Sequence, residues 1–381
     1  MPLETTTESL EPPESLESPE SPEEPFELLG LTLEEARDLA RARMPKGFGA
    51  ARSIYLEVIR EGRYAPEAHG LSLRAVEAWR RHFTVSLPGV VRRVEELDDE
   101  GRATTKAVLR ASDGLEYECV RIPMGKGKTT LCLSSQIGCK MACSFCETGR
   151  MGLLRNLSAA EIVAQVVVAR TQLGWSIDNL VFMGMGEALD NSEHLVQALR
   201  VLNDRRGLHI GQQKITVCTA GHADGIARLA QLGWKRLNLS VSLNAPTDAR
   251  RADLMPITKK YPLDRLTAAL AAYPKRTGFF LAVNYCLLPG LNDRREDAAG
   301  VARFCRAVGK SVVNLIPYNP GSRPLTRAPE EEEIRRFIAW LDEEKIPVRR
   351  RITRGRSVMA ACGQLGNPEL RRTIPRGPLR T

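Results

Sequence analysis

The sequence predicts an α/β protein organised as a partial (β/α)6 barrel of the TIM type, with a helical accessory unit and a β hairpin ahead of it. Three observations carry this reading. Beyond about Leu131, short β-branched runs alternate with stretches of helical period, the pattern of parallel strands joined by crossover helices. There are six such strand–helix units, and a barrel of this kind carries its site at the C-terminal ends of the strands. Ahead of them, residues 26–87 show helical spacing, and residues 88–124 show strand runs broken by turn signals. A doubly wound open sheet is the rival arrangement for the α/β part.

Taken in order, residues 1–25 hold little beyond Glu, Ser, Pro, Thr and Leu. That is too little apolar area to offset the entropy of ordering, so a disordered acidic tail is expected. In the helical unit 26–87, Leu33, Ala36, Leu39 and Ala40 share one face, followed by Ile54, Leu56, Val58 and Ile59, and by a short helix from Leu71 to Trp79. The hairpin or meander of 88–124 is built from Val90-Val91, Thr105–Leu109 and Tyr117–Ile122, with turns at Asp98–Gly101 and Ser112–Gly114. The core spans 125–355. Its strands are expected at Leu131–Ser134, Leu180–Gly184, Lys214–Thr219, Arg236–Leu243, Phe279–Leu287 and Val312–Pro317. Its helices fall at Ala159–Leu173, Ser192–Asn203, Leu263–Tyr273 and Asp297–Val308. A last helix, Glu331–Leu341, leads into a basic strand, Val348–Thr353, and residues 356–381 form a loop bearing Cys362 and a basic tail. Gly125–Thr130 has the look of a phosphate loop, but Ile122 stands where the Walker pattern needs Gly.

Charge divides unevenly along the chain. The total is +9, yet the first 36 residues hold eleven Glu and no Lys, Arg or Asp, so the remainder carries +20. A body so basic suits a polyanion, nucleic acid above all; a basic enzyme with solvated charges is the plainer alternative. No apolar run nears the ~18–20 residues that cross a bilayer, so no membrane association is expected. The N-terminus lacks the basic-then-apolar order of an export signal, which predicts a cytoplasmic protein. Nine cysteines without such a signal point to metal or redox chemistry rather than to a disulfide framework.

Three of the nine crowd into Cys139-Lys-Met-Ala-Cys143-Ser-Phe-Cys146, on the loop after the first barrel strand. Three thiolates so close suit a [4Fe–4S] cube, whose fourth iron is then open to a further ligand. Structural zinc wants four closed ligands and the five histidines are scattered, while a redox dithiol at Cys143 and Cys146 leaves Cys139 without a task. Zinc and redox thiols stay as alternatives. Met183-Gly-Met-Gly186-Glu187 follows the second strand and by itself is an ordinary Gly-rich strand end. Together the two segments resemble the radical S-adenosylmethionine (SAM) superfamily. The resemblance implies that SAM binds the open iron through its amino and carboxylate groups. It also implies that Gly186 permits close backbone approach and that Glu187 pairs with the SAM ammonium.

Four further segments narrow the resemblance. They are Leu131-Cys132-Leu-Ser-Ser-Gln-Ile-Gly-Cys139, Gly149-Arg-Met-Gly152 with Arg155-Asn-Leu157, Asn314-Leu-Ile-Pro-Tyr-Asn319-Pro, and Ala360-Ala-Cys362-Gly-Gln-Leu365. Over about residues 26–366 the chain is similar to the RlmN/Cfr family of radical-SAM RNA methyltransferases. That similarity implies methylation of an adenine ring carbon, C2 or C8, in 23S ribosomal RNA, with transfer RNA as a further candidate. It implies one cluster per chain, two SAM molecules per turnover, and an electron donor such as flavodoxin or ferredoxin acting on a monomer. Such a carbon is no nucleophile, so the family first methylates a cysteine, here Cys362. A radical formed from the second SAM then activates that S-methyl group, and Cys132 releases the product by forming a transient disulfide. Glu118, in Tyr117-Glu-Cys-Val-Arg-Ile-Pro123, matches the family's acid/base glutamate.

Taken singly, Cys132 reads as a packed small residue, as Cys286 and Cys305 do, Cys362 as part of a tight turn, and Glu118 as a solvated strand residue. The family matches around them give all three a role. The SAM contacts implied are Gly186, Glu187, Cys218, Ser242, Leu243, Asn244 and Asn319. Here the chain departs from the family, with Cys218 in place of a serine and Asn244 in place of a histidine. The acidic residues that lead to the carrier cysteine are also missing, the run being Arg356-Ser-Val-Met359. Segments resembling the C8-methylating branch (Gly186–Leu189, Leu254–Ile257, Leu288–Asp293) stand beside one resembling the C2-methylating branch (Thr353-Arg-Gly355). A radical-SAM enzyme of different chemistry and a non-catalytic RNA-binding module are the competing functions. RNA contact is expected at Arg349, Arg350, Arg351 and Arg354.

Overall fold

A computed structural model describes residues 24–366; most of the expected acidic tail and the basic stretch after residue 366 lie outside the described residues. The N-terminal unit runs β1 (Phe26–Glu27), α1 (Leu33–Arg43), α2 (Ala51–Glu61), α3 (Leu73–His82), β2 (Phe83–Thr84). Thr32 opens α1 with a capping box, its hydroxyl accepting from Glu35 N–H while the Glu35 carboxylate accepts from Thr32 N–H. Leu33, Ala36 and Ala40 of α1 and Ile54, Val58 and Ile59 of α2 are fully buried, as their spacing predicts. The two-residue strands β1 and β2, which pair in parallel, were not legible as strands.

The meander follows as β3 (Gly89–Leu97), β4 (Ala103–Arg110) and β5 (Glu116–Pro123), all antiparallel. Lys126 and Gly127, at φ 61° and 69°, turn the chain directly into β6 (Thr129–Cys132), so Gly125–Thr130 forms a strand connection and leads into no helix. Next come β7 (Gln136–Cys139), α4 (Glu147–Met151) and β8 (Gly152–Asn156), then α5 (Ala159–Thr171), β9 (Asn179–Phe182), α6 (Ser192–Asn203), β10 (Ile215–Thr219) and α7 (Ala223–Ala230). The chain continues through β11 (Asn238–Ser242), α8 (Asp248–Leu254), α9 (Leu263–Ala272), β12 (Leu281–Leu287), α10 (Arg295–Val308), β13 (Ser311–Pro317), α11 (Glu331–Glu343) and β14 (Val348–Arg350). No helix among the described residues is long and apolar enough to cross a membrane.

Ten strands form one sheet in the order β14-β13-β12-β11-β10-β9-β6-β5-β4-β3. From β6 to β14 every pairing is parallel, and β5 joins β6 antiparallel, so the meander extends the same sheet. The parallel order never reverses along the chain. Right-handed crossovers then put every connecting helix on one face, which is barrel-like winding and excludes the doubly wound rival. The sheet does not close, since β3 and β14 remain its edges. Helix α5 is buried almost all round, from Ala159 to Ala169, because α2 of the N-terminal unit covers its outer side. One continuous apolar core runs from Leu28 through the sheet to Ile346.

Candidate functional site

The C-terminal ends of the parallel strands face the cysteine run. After β6 the chain bends into β7, which pairs with β8 to make a small hairpin beside the main sheet. Gly138 makes this pairing possible: its φ is 77°, and a Cβ there would lie 1.9 Å from the Gly152 carbonyl oxygen. Cys139 ends β7, and the chain then crosses Ala142, at φ 52°, to Cys143 and Cys146 before entering α4. Gly149 lets α4 lie directly on the Cys143 backbone, since a Cβ would sit 2.9 Å from Cys143 N. Cys139 and Cys143 are buried and Cys146 half-buried, all three unbridged. Burial and then the neighbouring thiols push Cys139 up to about 12, and raise Cys143 likewise. Such thiols ionise readily only with a cation beside them. Among the described residues no trio of His, Cys, Asp or Glu converges where one ion would sit. A cube, by contrast, takes each thiolate on a different iron, so the three sulfurs need not converge. The donor set fits the cube and not a closed zinc site.

Beside this loop the strand ends form a polar floor. Gly184 and Gly186 allow the end of β9 to press on the end of β6: a Cβ would lie 2.5 Å from Leu133 O and 2.6 Å from Gln136 Cβ respectively. Glu187, buried at their end, accepts from Ala220 N–H (2.6 Å) and Leu189 N–H (3.1 Å). Burial pushes its carboxyl up to about 7 against those hydrogen bonds. Across the sheet, Cys218 of β10 lies 3.9 Å from the Ser242 hydroxyl of β11 and receives a hydrogen bond from Asn284 of β12 (3.2 Å). Asn284 also donates to Ser240 (2.7 Å) and accepts from Asn314 of β13 (3.0 Å).

Two expected SAM contacts are turned elsewhere. Leu243 is fully buried in the apolar core, with its N–H bonded to Asn284 O and its carbonyl to the Arg251 guanidinium. Asn244, at φ 56°, spends its side chain on Cys286 N–H (2.8 Å) and the Met255 sulfur (3.2 Å). Arg251 is the residue sequence reading missed. It is fully buried, its guanidinium donating to Leu243, Ala220 and Ser242 carbonyls and to Thr258, and burial pushes it down to about 10. Nothing in Asp248-Ala-Arg-Arg251 marks it, because an arginine in a charged helix normally faces water.

Cys132 and Cys362, 230 residues apart in the chain, line one cleft of about 260 Å³ together with Ile122, Met183, Ile316 and Asn319. Cys132 is buried at the end of β6, and burial together with nearby Cys362 raises its thiol well above the usual range. Cys362 is exposed, whereas its neighbours Ala360, Ala361, Gln364 and Leu365 are buried. Asn319 donates to the Cys362 carbonyl (3.4 Å), and its buried Oδ1 has no partner among the described residues, an acceptor left over for a ligand. Glu118 is buried, unlike a solvated hairpin residue, and is not on the cleft wall: it pairs with Lys106 (3.2 Å) and accepts from Gly366 N–H (2.9 Å). Of the four expected RNA-contacting arginines, Arg350 already pairs with Glu331 and Arg354 with Asp98, while Arg349 and Arg351 make no ion pair among the described residues.

Known proteins resemble this chain over most of its length. The family model described as the radical SAM superfamily matches residues 133–302. The chain is 40% identical over 350 residues to the probable dual-specificity RNA methyltransferase RlmN 1 of Protochlamydia amoebophila (strain UWE25), covering 91% of this chain and 96% of that protein. It is 43% identical over 311 residues to the probable dual-specificity RNA methyltransferase RlmN of Chlorobium chlorochromatii (strain CaD3), covering 80% and 84%. The crystal structure of a radical SAM methyltransferase from Sphaerobacter thermophilus superposes with a TM-score of 0.80 at 37% identity, over 90% of this chain and 99% of that one.

Proposed function

This chain belongs to the RlmN family of radical-SAM RNA methyltransferases, and we propose that it methylates a ring carbon of adenine, C2 or C8, through a methyl group carried on Cys362. It is a SAM-dependent enzyme acting on RNA, for which we propose 23S ribosomal RNA as the substrate and transfer RNA as a second. The observation that carries the reading is the meeting of Cys132 and Cys362 in one cleft, the first buried and the second exposed.

Cys139, Cys143 and Cys146 would hold the [4Fe–4S] cluster, one per chain. Glu187, the Cys218–Ser242–Asn284 floor, Asn319 and the Gly186 turn would seat SAM, two molecules being used per turnover. The cluster and SAM, when bound, supply the one-electron chemistry that turns an S-methyl group into a carbon radical. A flavodoxin- or ferredoxin-type protein would reduce the single-chain enzyme.

The chain's own residues do the rest. Cys362, at the exposed tip of its loop, loses its proton and takes a methyl group as a sulfur nucleophile. Once the methylene carbon radical adds to the adenine carbon, the adduct holds one unpaired electron. Restoring the aromatic ring therefore takes the ring hydrogen away as a proton and one electron with it, which the oxidised cluster would take back. Glu118 is the proposed acceptor of the proton, a task that requires its carboxylate to release Gly366 N–H. The Cys132 sulfur, as thiolate, then attacks the Cys362 sulfur. The S–S bond forms and the S–CH2 bond breaks, the electron pair goes to the methylene carbon, and a proton completes the methyl group. Two external electrons later reduce the disulfide. Mass spectrometry of RNA treated with the reconstituted enzyme tests this: a new methyl on an adenine carbon is expected, and a product modified on nitrogen, on ribose or not at all overturns it.

A further inference from the structure

Residues 354–366 form a strap that crosses the inner face of the β3–β5 meander before reaching the cleft. The strap contains no Asp or Glu, yet three carboxylates hold it from the meander. Glu96 of β3 accepts from three successive backbone N–H groups, those of Gly355 (2.6 Å), Arg356 (3.2 Å) and Ser357 (2.6 Å), and from the Ser357 hydroxyl. Asp98, two residues on, pairs with Arg354. Lys106 of β4 donates to the Met359 carbonyl (3.0 Å) and pairs with Glu118 of β5, whose other oxygen takes Gly366 N–H.

Consecutive N–H groups converging on one anion make a concave site, and each bond to a carboxylate is of the strong, charge-assisted kind. Gly355 is needed for the convergence. Its φ is 72°, and a Cβ would lie 2.7 Å from Ala360 Cβ and 2.9 Å from Thr104 Cγ2. Past Cys362 the strap is pinned again, with Gly363 O accepting from Glu147 N–H (2.8 Å) and Leu365 O from the Thr148 hydroxyl (2.6 Å). Anchors therefore stand on both sides of the one exposed thiol.

We propose that the meander is the positioning platform of the carrier cysteine, with Glu96 and Lys106 as positioning residues that hold the strap so that Cys362 stays at the cleft beside Cys132. This rests on the reading of Cys362 as methyl carrier. Glu96 is the residue to change, because it is half-exposed on an edge strand, whereas removing Lys106 would leave the Glu118 charge buried and unpaired. In the reconstituted enzyme, Glu96→Ala should lower kcat about tenfold or more while leaving the KM for RNA within about twofold, the mark of a misplaced thiol and not of lost binding. Iodoacetamide labelling of the unmethylated fraction of Cys362, read by peptide mass spectrometry, should speed up severalfold as the strap loosens, with thermal stability held. Glu96→Gln, which keeps one acceptor oxygen, should recover part of both effects, and Ser357→Ala should move both slightly in the direction of Glu96→Ala. Wild-type kcat and labelling in Glu96→Ala would overturn the proposal, as would a loss carried by KM or by stability. Labelling does not depend on turnover, so a wild-type enzyme unable to methylate RNA would sink the carrier reading while the strap test still stands.

Discussion

A thiol that takes a methyl group must reach its donor and its acceptor, whereas a thiol that ends the reaction must wait out of their way. Exposed Cys362 and buried Cys132 have those two surroundings, and their variants should fail differently. Cys362→Ala should neither gain the extra CH2 mass nor methylate RNA. Cys132→Ala should gain it, react, and then stall with RNA bonded through a methylene to Cys362. A denaturing gel with labelled RNA separates the two; normal turnover by Cys132→Ala would refute the division of labour. Glu187 makes a second prediction. Burial raises its carboxyl from 4.5 to about 7, so between those values the folded chain holds a proton that the unfolded chain has lost. Its contribution is most favourable at low pH and worsens as pH climbs toward 7 and beyond, by up to roughly 3 kcal/mol in all. Anaerobic urea unfolding without added SAM should therefore show Glu187→Gln gaining stability over the wild-type chain from pH 5 to pH 8. A constant difference across that range would mean that Glu187 is charged and partnered as it stands.

At the scale of elements, the seven parallel strands of the core were legible because each is a short run, apolar in all but the basic last strand, that alternates with helical stretches, as strands covered on both faces do. The cysteine run was legible from spacing alone. Helices α7 and α8 were not, since eight and seven residues are too few to display a 3.6-residue period. The β7–β8 hairpin was missed because one of its four pairs is held by Gly138 and the strand is interrupted by a bulge. Lys106 and Glu118 look like solvated alternation in the sequence, and only the strap lying over them makes their face an interior. The cluster loop carries its own prediction. Changing Cys139, Cys143 and Cys146 together to Ala should abolish iron and sulfide binding after anaerobic reconstitution while leaving the far-ultraviolet circular dichroism intact, because the main apolar core does not pass through the loop, which packs in a smaller cluster with Met255, Tyr261 and Leu288. Iron retained in full by the triple variant would place the cluster elsewhere.

For the whole molecule, positive charge gathers on a body whose cations are partly spoken for. Arg350 and Arg354 are tied to Glu331 and Asp98, which leaves Arg349 on the edge strand and Arg351 on the cleft wall as the freer contacts for phosphate. If the body uses about five phosphates, RNA affinity should fall roughly a hundredfold between low and physiological salt, and Arg349→Ala with Arg351→Ala should lower the log–log salt slope by about 2. Filter binding across a salt series measures both; a flat profile would rule out an electrostatic RNA surface. The strap has one further consequence, for the order of events in the molecule's life. Its bonds join residues very far apart in sequence, 261 positions between Glu96 and Ser357 and 248 between Glu118 and Gly366. Contacts of such separation close late and open early. Mild denaturant should thus silence methyl transfer while helices and sheet are still formed. On the ribosome the sequence runs the other way: the cysteine loop emerges first, open to iron delivery, and the strap arrives afterwards to lay its Gly363 and Leu365 carbonyls on α4 and shut the loop in.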